Sequence, residues 1–426
     1  MKERVTLDEK EQIRLMILNQ IIMDKLSLYQ ASQILVLSSR QLWRILAAYR
    51  KEGAAALAHG NRGRKPPNAL EHSLKVKVVE LACSTYAGFN TQHFTELLVE
   101  REDIFLSRSS VRNILLGSGI RSPRKRRAPK HRSRRERYPK EGMLLQIDGS
   151  PHDWLEGRGP YLTLIGAIDD ATGKVPYALF QEQEDTRGYF LMLREITLNY
   201  GIPLALYHDR HSIFEISMDK LPSIEEQLTG KRPLTQFGRL MEELGITSIP
   251  ANSPQAKGRI ERLWGTFQDR LTSELRLADA RTIDEANRVL VNFLPDYDRR
   301  FAVPAREPEL AYRKPDSSFK PEEFFCFKYQ RTVGADNVVR FGEHRLQILP
   351  SEDRLSYARC KVEVQKRLDG SLALYYQGHC LSTRPAPLEP AKLREPVAIG
   401  VATQRRYARP APDHPWRGIY RTFFDK

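Results

Sequence analysis

Four cysteines in 426 residues, Cys83, Cys326, Cys360 and Cys380, stand far apart with no C-x-x-C pair. That spacing argues against a disulfide framework and against a zinc finger. Long apolar runs are also missing. LMILNQIIM, residues 15–23, is short and interrupted by Asn19 and Gln20, so it suits an amphipathic helix better than a membrane span or the core of a signal peptide. The expectation is a reducing, cytoplasmic setting away from any membrane. Acid is scarce in one region only. Residues 1–140 hold 28 Lys and Arg against 13 Asp and Glu, while the remainder holds 40 of each. The formal charge of +15 therefore belongs to the first third, which calls for a polyanionic partner, of which nucleic acid is the usual one. The chain is too long for a single compact core, so two to four domains are expected.

The basic third contains a faint repeat. LSSRQLWRIL (37–46) matches LSRSSVRNIL (106–115). In each copy a serine, Ser38 or Ser107, can cap a helix by accepting bonds from the first free amides. Leu42, Ile45 and Leu46 then share one helical face, as do Val111, Ile114 and Leu115. A further helical pattern precedes each copy, LYQASQIL and TQHFTELLVE. Helix, short turn and capped helix is the layout of a helix-turn-helix, whose second helix can enter a major groove. Ser39, Arg40, Gln41 and Arg44 would face the groove in the first copy, and Arg108 and Arg112 in the second. A plain helical bundle would also show such caps, but not twice within one basic region. HGNRGRKPPN (59–68) reads as a basic arm carrying Arg62, Arg64 and Lys65, either a solvated linker or a minor-groove contact. Residues 121–140 hold eleven Lys and Arg, among them Arg124, Lys125, Arg126 and Arg127; they read as a phosphate clamp and a domain boundary.

From residue 141 the pattern changes. Strands are expected at 143–148, 161–170, 174–181, 202–209 and 246–250, with helices at 186–200, 237–245 and from 253 onward. The order βββαβαβα implies a mixed α/β sheet flanked by helices. Asp148 and Asp209 each follow an apolar strand, and Glu261 lies near the start of the last helix. Three such acids, if they converge, make an oxygen-rich site for hard divalent cations. Asp169 and Asp170 abut a hairpin turn and read as structural. Ile260, Leu263, Trp264, Phe267 and Leu271 form a core stripe beside Gly258, Glu261, Gly265 and Gln268. An interior glycine costs a helix about 1 kcal/mol relative to alanine, which a plain surface helix has no reason to accept twice.

IDG (147–149), HDRHSIF (208–214) and SPQAKGRIERLWGTF (253–267), in this strand order, resemble the RNase H-like core of the DDE transposase and retroviral-type integrase superfamily. With the repeated helical modules in front, the chain most resembles bacterial insertion-sequence transposases of the ISNCY type. The resemblance implies a metal-binding triad of Asp148, Asp209 and Glu261 holding two Mg2+ or Mn2+ ions. It implies 3′-end cleavage and strand transfer into target DNA, on double-stranded element ends with terminal inverted repeats. It also implies a homodimer or higher oligomer on DNA and a place at the bacterial nucleoid. Asn252, Gln255 and Lys257 would touch DNA near the cut. There are two departures: the gap between Asp209 and Glu261 is lengthened, with residues 217–232 read as the insertion, and His211 stands where such integrases usually carry glycine. His152 and His208 read as structural, since Mg2+ prefers oxygen; Asp153 stays open as an extra acid.

Short alternating strands between 330 and 382 suggest a small SH3-like β-barrel, and prolines accumulate beyond it, with HPWRGIY (414–420) as a docking or disordered tail. The expected plan is therefore multidomain: helix-turn-helix at 1–58, basic linker at 59–68, second all-α helix-turn-helix at 69–120, basic linker at 121–140, catalytic α/β core at 141–320, barrel at 321–385 and tail at 386–426. Two other functions fit the same plan: an inactive site-specific DNA-binding regulator, or an RNase H-like nuclease that hydrolyses without joining.

Overall fold

The computed structural model describes residues 6–58, 61, 69–123, 136–216, 233–251, 258–351 and 354–386. The chain divides into two compact units, residues 1–126 and 127–426.

The first unit is helical: α1 (Glu9–Ile22), α2 (Leu28–Leu35), α3 (Ser39–Glu52), α4 (His72–Cys83), α5 (Thr91–Glu102) and α6 (Arg108–Gly117). Both serine caps form. Ser38 accepts from the amide of Gln41 at 3.2 Å, and Ser107 from that of Ser110 at 3.1 Å. Each prevents an orphaned donor at a helix start. Only three residues join α2 to α3, and Val36 makes the turn in the left-handed region at φ 52°. Leu42 and Leu46 of α3 pack with Leu18 and Ala31 in one core, while Val111, Ile114 and Leu115 of α6 are buried in the second module.

The second unit is built on a five-stranded mixed sheet in the order β3-β2-β1-β4-β5: β1 (Leu144–His152), β2 (Leu162–Asp169), β3 (Tyr177–Gln181), β4 (Ala205–His208) and β5 (Thr247–Pro250). β1, β2 and β3 are antiparallel neighbours, and β4 runs parallel to both β1 and β5. Alternation along β1 sends its side chains to two cores. Leu145 and Ile147 join α7 (Thr186–Asn199) and α8 (Gln236–Glu243) on one face. Trp264, Phe267 and Leu271 of α9 (Gly258–Leu277) and Leu290 and Phe293 of α10 (Ile283–Phe301) cover the other.

The strands and helices fall close to the expected places, with two differences. β1 does not end at Asp148 but continues to His152, held by β2 through Gly149, Ser150 and Pro151. Gly258 is the first residue of α9, not an interior one, and a side chain there would meet nothing within 4 Å; its helical cost is correspondingly small. α10 was not among the expected elements. It opens on a capping box between Thr282 and Glu285 and buries Ala286, Leu290, Phe293 and Tyr297.

α10 also carries a titratable contact. Asp298 accepts from the amide of Val175 at 2.9 Å, and burial pushes its carboxyl up to about 6 against the opposing pull of that bond and of Lys174. Its folded value lies above the unfolded one, so the native state holds the proton more tightly. The stability this contributes is complete below about pH 4 and is lost as pH rises through about 6. Asp298→Asn should therefore raise the melting temperature at pH 8 by a few degrees, on the order of 1 kcal/mol after solvent screening. At pH 4 the variant should match the parent; calorimetry at the two pH values measures the difference.

Beyond α11 (Pro321–Phe324) come β6 (Cys326–Thr332), β7 (Val338–Phe341), β8 (His344–Ile348), β9 (Lys361–Arg367), β10 (Leu372–Tyr376), β11 (His379–Leu381) and β12 (Thr383–Pro385). They form a four-stranded sheet, β11-β10-β9-β6, and a three-stranded one, β12-β8-β7, around a common core of Val333, Val339, Val364 and Leu374. β6 is tied to α8: Gln236 both donates to and accepts from the backbone of Lys328, and Lys328 pairs with Glu243.

Candidate active site

The parallel pairing of β1 and β4 leads towards the first two predicted acids. The parallel ladder pairs Leu144 with Ala205, Leu145 with Leu206 and Gln146 with Tyr207. Two residues further along the same register stand Asp148 and Asp209. β4 stops at His208, whereas β1 runs on to His152 against β2, so Asp209 follows the end of its strand and Asp148 lies within β1. Asp209 is held by its surroundings. The His208 ring is fully buried, with Nδ1 2.6 Å from the Asp209 carbonyl and Nε2 2.7 Å from the Ser248 hydroxyl. A carbonyl can only accept, so Nδ1 carries the proton and Nε2 accepts from Ser248. Phe214 stacks on that ring at 4.5 Å between centroids. The amide of His211 donates to Asp209 Oδ1 at 3.0 Å. His211 is absent from the positive-φ residues, so this turn does not need the glycine that the resemblance led one to expect.

Asp148 is approached from α9. The indole N–H of Trp264 donates to Asp148 Oδ2 at 3.2 Å, and Gln268 Nε2 reaches the Ser150 hydroxyl at 3.3 Å. Trp264 can lie this close because its neighbour on β2 is Gly166, where an added Cβ would stand 3.0 Å from the indole ring. Glu261, one turn before Trp264 and on the same side of the helix, is exposed on the first turn of α9. The start of α9 is anchored through fully buried Asp170, which accepts from Arg259 Nε at 2.7 Å, Gln146 Nε2 at 3.0 Å and the amide of Tyr138 at 3.0 Å. Among the described residues, no group of three or more His, Cys, Asp or Glu stands close enough to hold a metal ion. The register continued by two residues points Asp148 and Asp209 towards the same place, but with Glu261 they do not close a metal-holding set of three acids.

The sequence reading missed one part of this centre. Tyr189 of α7 is fully buried and donates to Glu184 Oε1 at 2.6 Å. Burial first, then Glu184, Asp148 and Asp209, pushes its phenol well above the ordinary value. Its hydroxyl therefore lies within electrostatic reach of both predicted aspartates and of a further carboxylate. Asp169 and Asp170 take the structural roles expected of them: Asp169 accepts from the amides of Gly142 and Thr172, and burial raises its carboxyl. Asp153 accepts from the amide of Gly157 at 3.0 Å in a turn, and His152 packs edge-on to Trp154.

No protein-family model matches the chain. Among curated proteins it is 32% identical over 421 residues to y4bF of Sinorhizobium fredii, a protein named as a transposase, covering 96% of this chain and 90% of that one. The chain belongs to the transposases. It is also 31% identical over 429 residues to the transposase for insertion sequence IS1202 of Streptococcus pneumoniae, covering 89% of this chain and 88% of the relative. Among solved structures, a chain of the simian T-cell lymphotropic virus intasome in complex with PP2A regulatory subunit B56 gamma covers 73% of this chain and 100% of its own. Its TM-score is 0.30 and its identity 15%, too distant a superposition to carry an argument.

The DNA-facing candidates of this transposase fall into two groups. Ser39, Arg40, Gln41 and Arg44 on α3, and Arg108 and Arg112 on α6, are all exposed. Arg62, Arg64, Lys65, Arg124, Lys125, Arg126, Arg127, Asn252, Gln255 and Lys257 lie outside the described residues, as do the 217–232 segment and the tail from 387. No helix among the described residues is long and apolar enough to cross a membrane.

Proposed function

We propose that this transposase is of the DDE type, cutting the 3′ ends of its element and joining them to target DNA, with Asp148, Asp209 and Glu261 as its acids. The observation that supports the reading is the parallel β1–β4 register, which pairs Gln146 with Tyr207 and, continued by two residues, would bring Asp148 beside Asp209 just past the end of β4. That position is where parallel strands present functional groups. The donor set is wholly carboxylate oxygen, which fits a hard divalent cation. Asp148, Asp209 and Glu261 would hold Mg2+ or Mn2+, and a pair of such ions supplies Lewis-acid activation of the attacking oxygen and stabilisation of the leaving one. The protein's own part is orientation. Trp264 aims the Asp148 carboxylate, His208 fixes the backbone of Asp209, and the Arg259–Asp170 bond sets the start of the helix that bears Glu261.

In this reading the modules at 1–58 and 69–120 are helix-turn-helix domains that grip the element ends through α3 and α6. The core spans 141–320, and an SH3-like barrel follows at 321–385. The basic segments 59–68 and 121–140 add phosphate contacts, and a homodimer or higher oligomer brings two ends together.

The test uses the full chain and labelled duplex taken from the DNA flanking its own coding region. Binding is expected to weaken steeply between 50 and 200 mM salt, by roughly a thousandfold if six phosphates are contacted. With Mg2+ or Mn2+ present, cut 3′ ends should appear joined to a target plasmid. Cutting without joining would make the protein a nuclease, and binding without either would make it a regulator.

A further inference from the structure

Trp43 takes no part in the helical core of the first module. It is 52% exposed on α3, while Leu42 and Leu46 of the same helix are fully buried. Tyr49 marks the core side of α3 by donating to Asn19 at 2.8 Å. An indole left in water forfeits a large apolar surface, so packing within the module does not account for it. Arg40 and Ala47 lie one turn before and one turn after Trp43, and both are exposed, as is Arg44. Charge indicates what covers this face. Between Asp24 and Glu52 the sequence contains no acid, whereas it contains Lys25, Arg40, Arg44, Arg50 and Lys51. Phosphates flanking a groove complement such a frame.

The second module adds an independent observation. Aligned on their serine caps, Ser38 matches Ser107, and buried Leu42 and Leu46 match buried Val111 and Leu115. Trp43 then falls on Arg112, which is likewise exposed, on α6. At one equivalent position the modules therefore present opposite chemistry: a flat apolar ring and a planar cation with five donors. The major groove offers a partner for each, the C5-methyl of thymine and the paired acceptors O6 and N7 of guanine.

We propose that Trp43 and Arg112 are specificity-determining residues that make the two modules read different bases, Trp43 packing on thymine methyls and Arg112 bonding the O6 and N7 edge of guanine. This rests on the helix-turn-helix reading and adds a division of labour to it. The modules are not two copies of one reader. The DNA end they fit is a composite of a thymine-bearing and a guanine-bearing site, not one site repeated.

The test is fluorescence anisotropy of the full-length chain on the flanking-DNA duplex, with thymine replaced by uracil, or guanine by 7-deazaguanine, one position at a time. Uracil lacks only the methyl group. The parent should lose affinity roughly fourfold at a thymine that Trp43 covers, the worth of one buried methyl-sized group. It should lose about tenfold at the guanine that Arg112 bonds, within the range of one specific base contact. Trp43→Ala should bind uracil and thymine duplexes alike and keep the guanine response, and Arg112→Ala should do the reverse. Trp43→Phe, which retains a flat apolar ring, should keep the thymine response. Melting temperatures should stay parental, since both side chains are exposed. A parent indifferent to uracil, or an unchanged thymine response in Trp43→Ala, overturns the role of Trp43; an unchanged guanine response in Arg112→Ala overturns that of Arg112. Parental DNA binding by Trp43→Ala with a smaller assembly in sedimentation would give the ring to a second copy of the chain and overturn the proposal. If Arg40→Ala, Arg44→Ala and Arg108→Ala all bind the duplex like the parent, the helix-turn-helix reading itself fails.

Discussion

Asp148→Asn is expected to slow end cleavage by at least about a thousandfold while duplex binding stays at the parental level. Asparagine has the size of aspartate, and its Oδ1 can still accept from the indole of Trp264, which lies 3.2 Å from Asp148. The packing of α9 on β1 should therefore survive. The negative charge beside Asp209 does not. Lewis-acid stabilisation of a phosphoryl oxygen is worth several kcal/mol, and a loss of about 4 kcal/mol is about a thousandfold in rate. In the proposed function binding is carried by the basic first unit, which the substitution does not touch. Single-turnover cleavage in Mg2+ and fluorescence anisotropy on the same duplex separate the two effects. Parental cleavage by this variant would remove Asp148 from the chemistry.

Local signals in the sequence were enough for the parts of the fold governed by local physics. A serine before an apolar helical stripe marks a cap, and both Ser38 and Ser107 are caps. Runs such as LLQI and TLIGAI can only be buried strands, and both are. The core stripe Ile260, Leu263, Trp264, Phe267 and Leu271 is buried throughout. What stayed hidden depends on which elements end up adjacent. Trp264 reads in sequence as one more core residue; that its N–H also serves Asp148 depends on α9 crossing β1 at that height. Tyr189 reads as part of the helix expected at 186–200, and only the packing of α7 reveals that it lies within electrostatic reach of the two aspartates. The length of β1 was underestimated because Ser150, Pro151 and His152 carry little strand propensity; pairing with β2 overrides it. The replacement of glycine by His211 looked like a risk to the Asp209 turn, and its ordinary backbone conformation shows why the substitution is tolerated.

The largest stability effect is expected away from the acids, at Asp170. This carboxylate is fully buried and collects three donors: Arg259, Gln146 and the Tyr138 amide. Arg259 itself is only 15% exposed. Arg137 hydrogen-bonds to the Ala171 carbonyl at 3.0 Å; burial first, then repulsion from Arg259, pulls its guanidinium below the ordinary arginine value, while Asp170 opposes this. Removing the acid would leave Arg259 buried and uncompensated beside a second positive charge. Breaking one side of a buried ion pair costs about 3–5 kcal/mol, so Asp170→Ala should lower the melting temperature by roughly 10 °C. The pair Asp170→Ala and Arg259→Met should regain much of that loss, because no stranded charge remains, and the two substitutions should be strongly non-additive. Cleavage by the double variant should nevertheless stay low. The stability would be restored by apolar packing, but the bond that sets the first turn of α9, and with it the aim of Glu261, would still be gone. Full recovery of both stability and cleavage would mean that Asp170 only neutralises Arg259 and does not position the helix.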